Sequence, residues 1–221
     1  MKYTVDALID KLKNNNHVVF TNDVKEFNLN LVAVRSANRV PNTFDDLFYV
    51  FYKYNGAWTI KEYNVTVDPG AVYLQNPIND SGTAIIMPNQ YRSLWKLGYH
   101  KGKYRALVQN RPCTVARDNN RDLILNSDIP PYANSYRISK GGIIYELYLD
   151  NDEQEVFKTE TGMFGINCHK SGKGTTEFVN YYGAGCVVFA NNDLFDNDFI
   201  PVCEAAANNF GNSFTFALLN E

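Results

Sequence analysis

With 221 residues, of which 45% are hydrophobic and 20% charged, the chain has an ordinary globular composition and is long enough for one sizeable core. Its 15 tyrosines and 14 phenylalanines carry far more buriable surface than a solvated chain would, which excludes disorder. The balance of 21 basic against 24 acidic residues, a net charge of −3, offers no electrostatic footprint for a phosphate backbone or an anionic membrane, so nucleic acid is not an expected partner.

The N-terminal stretch MKYTVDALIDKLKNNNHVVF mixes charged and apolar residues throughout. It lacks the unbroken apolar segment and small-residue cleavage site of a secretion signal, and no later run approaches the ~20 apolar residues of a membrane span. The expectation is a protein made in the cytosol, without a membrane span, whose Cys113, Cys168, Cys186 and Cys203 stay free thiols. Val5, Leu8, Ile9 and Leu12 recur at helical spacing, and Asn14-Asn15-Asn16 marks the stop, which predicts one short amphipathic helix.

From Val18 the texture changes to short runs rich in Val, Tyr, Phe and Thr, which predict strands at 29–34, 48–54, 58–67 and 104–116. Asn55-Gly56 between aromatic strands predicts a tight hairpin, and Asp68-Pro69-Gly70 ends a strand. Lys140-Gly141-Gly142 predicts a second hairpin between 136–139 and 143–149. The acidic stretch 191–198 reads as a surface loop with Asp198 as a helix N-cap. A helix follows over 199–209, with Ile200, Cys203, Ala206 and Ala207 on one face, and then a last strand over 214–219. No linker, repeat or low-complexity tract divides the chain, so the expected fold is one domain, 1–221, mainly β with short peripheral helices.

Three histidines narrow the choice of general base. His17 reads as a surface-loop residue; His100, in Leu97-Gly98-Tyr99-His100-Lys101-Gly102-Lys103, lines a cleft or caps a turn. His169 differs, because Gly165-Ile166-Asn167-Cys168-His169 is an apolar strand running into a Gly-rich turn. Alternation sends Ile166 and Cys168 to one face and Asn167 and His169 to the other. Seventeen positions on, Gly183-Ala184-Gly185 leads into Cys186 and an apolar strand. Glycines there permit a tight turn that exposes the thiol and leave backbone N–H groups free to face an oxyanion. A neighbouring imidazole stabilises the thiolate, the form of cysteine that attacks carbonyls. From the residues alone, an activated thiol and a packed core thiol stand level.

A zinc held by His100, His169 and Cys186 is the metal alternative, opposed by the lack of any short-range ligand pair. Asp118-Asn119-Asn120-Arg121-Asp122 spaces its oxygens like a calcium loop, but Leu123 stands where Gly is required and no Glu follows at the closing position. It reads as a solvated turn. No metal or cofactor is expected, and the sequence assigns no oligomeric state.

A strand ending in His, a Gly-containing turn, and Gly-Cys entering another strand resemble the L,D-transpeptidase catalytic domain, whose cysteine attacks peptide stems of the bacterial cell wall. The likeness is more specific to phage- and prophage-encoded proteins with this core. It is carried by Asp68-Pro69-Gly70, Gly82-Thr83-Ala84, Gly98-Tyr99-His100-Lys101-Gly102-Lys103-Tyr104-Arg105-Ala106-Leu107-Val108-Gln109, Arg117-Asp118-Asn119-Asn120, Phe164-Gly165-Ile166-Asn167-Cys168-His169 and Ala184-Gly185-Cys186, in that order. The collinear match spans about residues 44–219, behind an N-terminal helix and strands over 1–43.

The resemblance implies an L,D-transpeptidase-like β-sandwich or barrel, with Cys186 as nucleophile, His169 as base, and the Gly185 and Cys186 amides as oxyanion donors. It implies Asn167, His100, Tyr182 and Ala184 around the substrate, and an inserted hairpin over 127–160 where relatives place a lid. Peptidoglycan is the implied partner, and hydrolysis after release at lysis, as by a phage endolysin or a virion component, is the implied role. The sequence departs from the broad motif at Gly183 and Ala184, where Ser or Thr and then His precede Gly-Cys, and at Val188, where Arg follows the cysteine. A non-catalytic virion or wall-binding protein that keeps the fold is the alternative.

Overall fold

The structure is a computed structural model that describes residues 1–21 and 24–221. In chain order its elements are α1 (Val5–Asn14), β1 (Asn30–Arg35), β2 (Asp46–Tyr54), β3 (Ala57–Thr66), α2 (Ala71–Gln75), β4 (Thr83–Ile86), β5 (Asn89–His100), β6 (Tyr104–Gln109) and β7 (Cys113–Asp118). There follow β8 (Asn134–Lys140), β9 (Ile143–Leu149), β10 (Glu155–Gly162), β11 (Cys168–Lys170), β12 (Val187–Phe189), α3 (Asn192–Leu194), α4 (Ile200–Phe210) and β13 (Phe214–Asn220). The fold is mainly β with a few short helices, as expected.

Eight strands close a barrel in the order β1-β13-β5-β6-β11-β12-β3-β2, and five form a second sheet, β4-β7-β10-β9-β8. The hairpin of β2 and β3 pairs without a break from Asp46↔Val65 to Tyr54↔Ala57, closed by Asn55-Gly56. β1 lies between β2 and β13, so the N-terminal segment is part of the barrel wall. The interior is aromatic: Phe48 meets Phe189, Phe199 and Phe216, and Trp95 lies 4.5 Å from Phe216. Helix α1 is capped by Thr4, whose Oγ1 accepts the Ala7 N–H at 3.2 Å. It buries Leu8 and Leu12 on the barrel's outer surface against Val32, Val34, Tyr49 and Phe51.

The second sheet rests on the barrel through Ala84, Ile86, Cys113 and Val115, and its far strand β8 is exposed along its whole length. The run expected as one strand over 104–116 is two, because Pro112 has no N–H for a ladder and the chain leaves the barrel there for the second sheet. Residues 191–198 are not a loop. Asn191 caps α3 by accepting the Leu194 N–H at 2.9 Å, and a π-helical turn over Phe195–Phe199 drives Phe195 and Phe199 into the core. Asp198 is therefore no helix cap; its carboxylate accepts from Tyr63 at 2.8 Å and pairs with Lys61, tying the turn to β3. The stretch expected to be a solvated turn starts from a buried residue, Asp118, which accepts the Asn126 N–H at 3.1 Å. No helix among the described residues is long and apolar enough to cross a membrane.

Candidate active site

β11 and β12 are parallel neighbours, with Cys168 beside Val187 and His169 beside Val188. One step earlier, Cys186 falls next to Asn167, whose carbonyl accepts the Val187 N–H at 2.9 Å. Cys168, Val187 and Phe189 face the barrel core, so Asn167, His169, Cys186 and Val188 share the outer face. Cys186 and His169 are thus diagonal neighbours on one surface, with no hydrogen bond joining thiol and imidazole among the described residues.

The loop that delivers Cys186 is pressed against two other segments. Gly185 has φ +108°, and a Cβ there would lie 2.3 Å from the Ala84 carbonyl oxygen, so only glycine fits beside β4. Gly70 packs as tightly on residue 180, where a Cβ would lie 2.0 Å from the Asn180 carbonyl oxygen, and its N–H donates to the Gly183 carbonyl at 2.8 Å. Asn42 fastens the same loop: its Oδ1 accepts from the Asn180 and Ala71 N–H groups, and its own carbonyl accepts from Val179. Asp68-Pro69-Gly70 and Gly183-Ala184-Gly185, two separate turn signals in the sequence, are two sides of one contact.

The Sγ of the partly buried Cys186 accepts the Asn167 N–H at 3.4 Å and lies 3.5 Å from the Gly165 carbonyl oxygen. Among the described residues, the N–H groups of Gly185 and Cys186 donate no hydrogen bond, which leaves two donors beside the sulfur. The segment 163–167 belongs to no sheet and is held by one carboxamide. Gln109 Oε1 accepts the Phe164 and Ile166 N–H groups at 3.0 and 2.9 Å, while its Nε2 donates to the Gly162 and Arg111 carbonyls. Trp95 adds a bond from the core, Nε1 to the Ile166 carbonyl at 2.8 Å. Asn167 spends its own side chain internally, Oδ1 on the Gln109 N–H at 2.8 Å and Nδ2 3.4 Å from His100 Nδ1.

His169 is only 3% exposed. Its Nδ1 lies 2.8 Å from the Lys170 carbonyl oxygen, which can only accept, so the proton sits on Nδ1 and Nε2 keeps its lone pair. The Tyr104 hydroxyl is 3.4 Å from the same nitrogen, and the His100 ring stacks on His169 with centroids 4.1 Å apart. Burial, with the neighbouring charges of His100 and Lys101, pushes His169 down to about 3. Burial also lowers His100, helped by Lys101 and Lys103. Burial pushes the Cys186 thiol up, opposed by the Asn167 N–H and by Lys101. At neutral pH the resting site therefore holds a protonated thiol and two neutral imidazoles.

A groove of about 490 Å³ runs from Ala184 along the second sheet, lined by Arg117, Tyr145, Glu160, Met163 and Phe164 among others. Arg117 Nε pairs with Glu160 at 2.9 Å, and its guanidinium stacks on Phe164 at 4.9 Å. The sequence marks none of Arg117, Glu160 and Phe164 as a site residue, although Arg117 and Phe164 stand in stretches on which the resemblance rests. Their meeting depends on Thr159↔Ala116 and its neighbours pairing across β10 and β7, which no local period announces. Ala184 stands in this groove. Tyr182 is directed elsewhere: its hydroxyl lies 2.3 Å from where a Gly172 Cβ would be, and its ring lies tilted against Tyr181. His17 is set apart, in the stretch that follows α1. Among the described residues no group of three or more His, Cys, Asp and Glu side chains gathers as metal ligands would.

No protein-family model matches this sequence, and no curated protein or solved structure is significantly similar to it. What fold and geometry define by themselves is a β-barrel protein with a partly buried thiol on its outer wall, beside two free amides and one strand from a buried imidazole.

Proposed function

We propose that the chain is a cysteine-dependent acyl-transfer enzyme of the L,D-transpeptidase type that acts on peptidoglycan stem peptides, by hydrolysis more than by cross-linking. The observation that carries this reading is the shared outer face of β11 and β12, with Cys186 and His169 as diagonal neighbours and the Gly185 and Cys186 amides undonated beside the sulfur. Cys186 attacks a stem-peptide carbonyl, its proton passes to His169 Nε2, and the two amides take the oxyanion. Collapse expels an amine, which takes the proton back, and leaves a thioester; water then resolves it. Because the thiol is protonated at rest, proton transfer accompanies attack and no ion pair is stored beforehand. The likeness to phage proteins supports a lysin that meets the wall after release at lysis or from the virion.

The near-complete burial of His169 and the upward push on the thiol favour a second reading, a non-catalytic wall-binding or virion protein on the same fold. One experiment separates them. Purified protein and its Cys186→Ala variant are incubated with isolated sacculi, and released muropeptides are analysed by mass. Product from the parent alone supports the thiol mechanism and names the bond; equal product from both, or none from either, removes it.

A further inference from the structure

The outer wall of the barrel holds two imidazoles where a thiol requires one. The end of β5 lays the His100 ring over His169, with centroids 4.1 Å apart and 26° between planes. Stacked faces exchange no hydrogen bond, so the rings affect each other through charge and π contact. The Asn167 Nδ2 donor faces His100 Nδ1, which puts the His100 proton on Nε2, whereas His169 carries its proton on Nδ1. Two imidazolium rings in this partly buried setting repel strongly. The surrounding groups give no relief. Lys101 and Lys103, in the turn after His100, act against a proton on it, and Lys101 does the same to His169. Lys170 on β11 is paired with Asp196 of the π-helical turn, while burial keeps the Tyr104 phenol on β6 and the Cys186 thiol uncharged. The stacked pair accommodates one proton at most.

We propose that His100 is a positioning residue for the thiol chemistry, deciding through its own charge whether His169 accepts the Cys186 proton. The inference rests on the thiol–imidazole reading above. In the reacting step the Sγ–H bond breaks, its proton goes to His169 Nε2, and the sulfur electron pair forms the new S–C bond. His100 stays neutral throughout. Once His100 carries a proton, the imidazolium on His169 would be a second positive charge 4.1 Å away, and the step stops. The acid limb of reactivity therefore belongs to His100, the more exposed ring, and not to the base itself.

The test is labelling of Cys186 by iodoacetamide, in which an S–C bond forms and iodide leaves, read by mass spectrometry of its peptide between about pH 5 and pH 8. It compares the full chain with His100→Phe, which keeps a stacking ring without a proton, and with His169→Ala. His100→Phe should label faster than the parent at about pH 5, by an excess that grows as the pH falls, and within about twofold of it at about pH 8, where His100 is neutral. Superimposable profiles would overturn the proposal. His169→Ala tells the two possible failures apart. If it labels as fast as the parent, the thiol–imidazole reading falls and takes this inference with it; if it is slow while His100→Phe is unshifted, only the role of His100 falls. Should His100→Phe not fold, ring-proton NMR titration of the parent decides: a His169 signal that moves with the His100 step supports the coupling, and independent titrations overturn it.

Discussion

The barrel and the sheet beside it are built from similar strands and are held by different means. Inside the barrel, Phe48, Trp95, Phe189, Phe199 and Phe216 are buried to 1% exposure or less and touch one another directly. Among the described residues, β4 and β7 are the strands of the second sheet that contribute to that core; β8 leaves Tyr136 and Ile138 in solvent and is paired in the sheet with β9. The barrel fixes the wall on which Cys186 and His169 sit, and the sheet overhangs it to make the groove that ends at Ala184. A densely packed barrel and a sheet with an exposed edge are thus joined within one chain.

Phe48→Ala breaks the comparison hardest on the barrel side. It removes a ring that packs against three others and leaves a cavity the closed wall cannot collapse into, so stability to urea should fall by about 3–5 kcal/mol. A loss below about 1 kcal/mol would mean that the barrel interior is far looser than its packing indicates.

The contrast also explains what the sequence discloses and what it hides. β2 and β3 are legible because aromatic alternation and Asn55-Gly56 are local signals, and β2–β3 is a local contact. β5 is hidden, since Ser93 takes φ +56° and the register slips between Phe214 and Phe216, so no clean period runs through its 12 residues. The π-helical turn is hidden because Asp196 and Asp198 disguise two core phenylalanines as a charged loop. In the site, Cys186 and His169 stand out through the glycines and the short strands around them. Gln109 is visible only as one residue of a long stretch that carries the resemblance. The His100 stack and the Arg117–Glu160 pair come from strands far apart in the chain, which one sequence cannot bring together.

Gln109→Leu acts where the two regions join. The substitution leaves the Phe164 and Ile166 N–H groups and the Gly162 carbonyl without their partner in a partly buried segment, a cost of about 2–3 kcal/mol. Because that segment supplies both groups against the Cys186 sulfur, the effect extends to the thiol. Iodoacetamide should discriminate less between Cys186 and the core thiol Cys203 than in the parent, at a denaturant concentration where both proteins are folded. Gln109→Glu keeps the accepting oxygen and should fall between the two. Stability loss with unchanged labelling would confine Gln109 to holding the chain and detach it from the site.

Ile138→Thr tests the opposite end of the scale. Ile138 is 44% exposed on the edge strand, pairs with Tyr145, and is not part of the buried barrel core among the described residues. Threonine keeps the β-branch that suits a strand and removes apolar surface that solvent already covers, so the unfolding midpoint should shift by less than about 0.5 kcal/mol equivalent. Hydrogen exchange sharpens the same point without any substitution. Amides of β8 should exchange by local opening well before those of β2 and β13, since one neighbouring strand is all that protects them. Equal protection of β8 and β2 would show that the overhanging sheet unfolds only with the barrel, and the groove beside Ala184 would then be as rigid as the wall that carries the thiol.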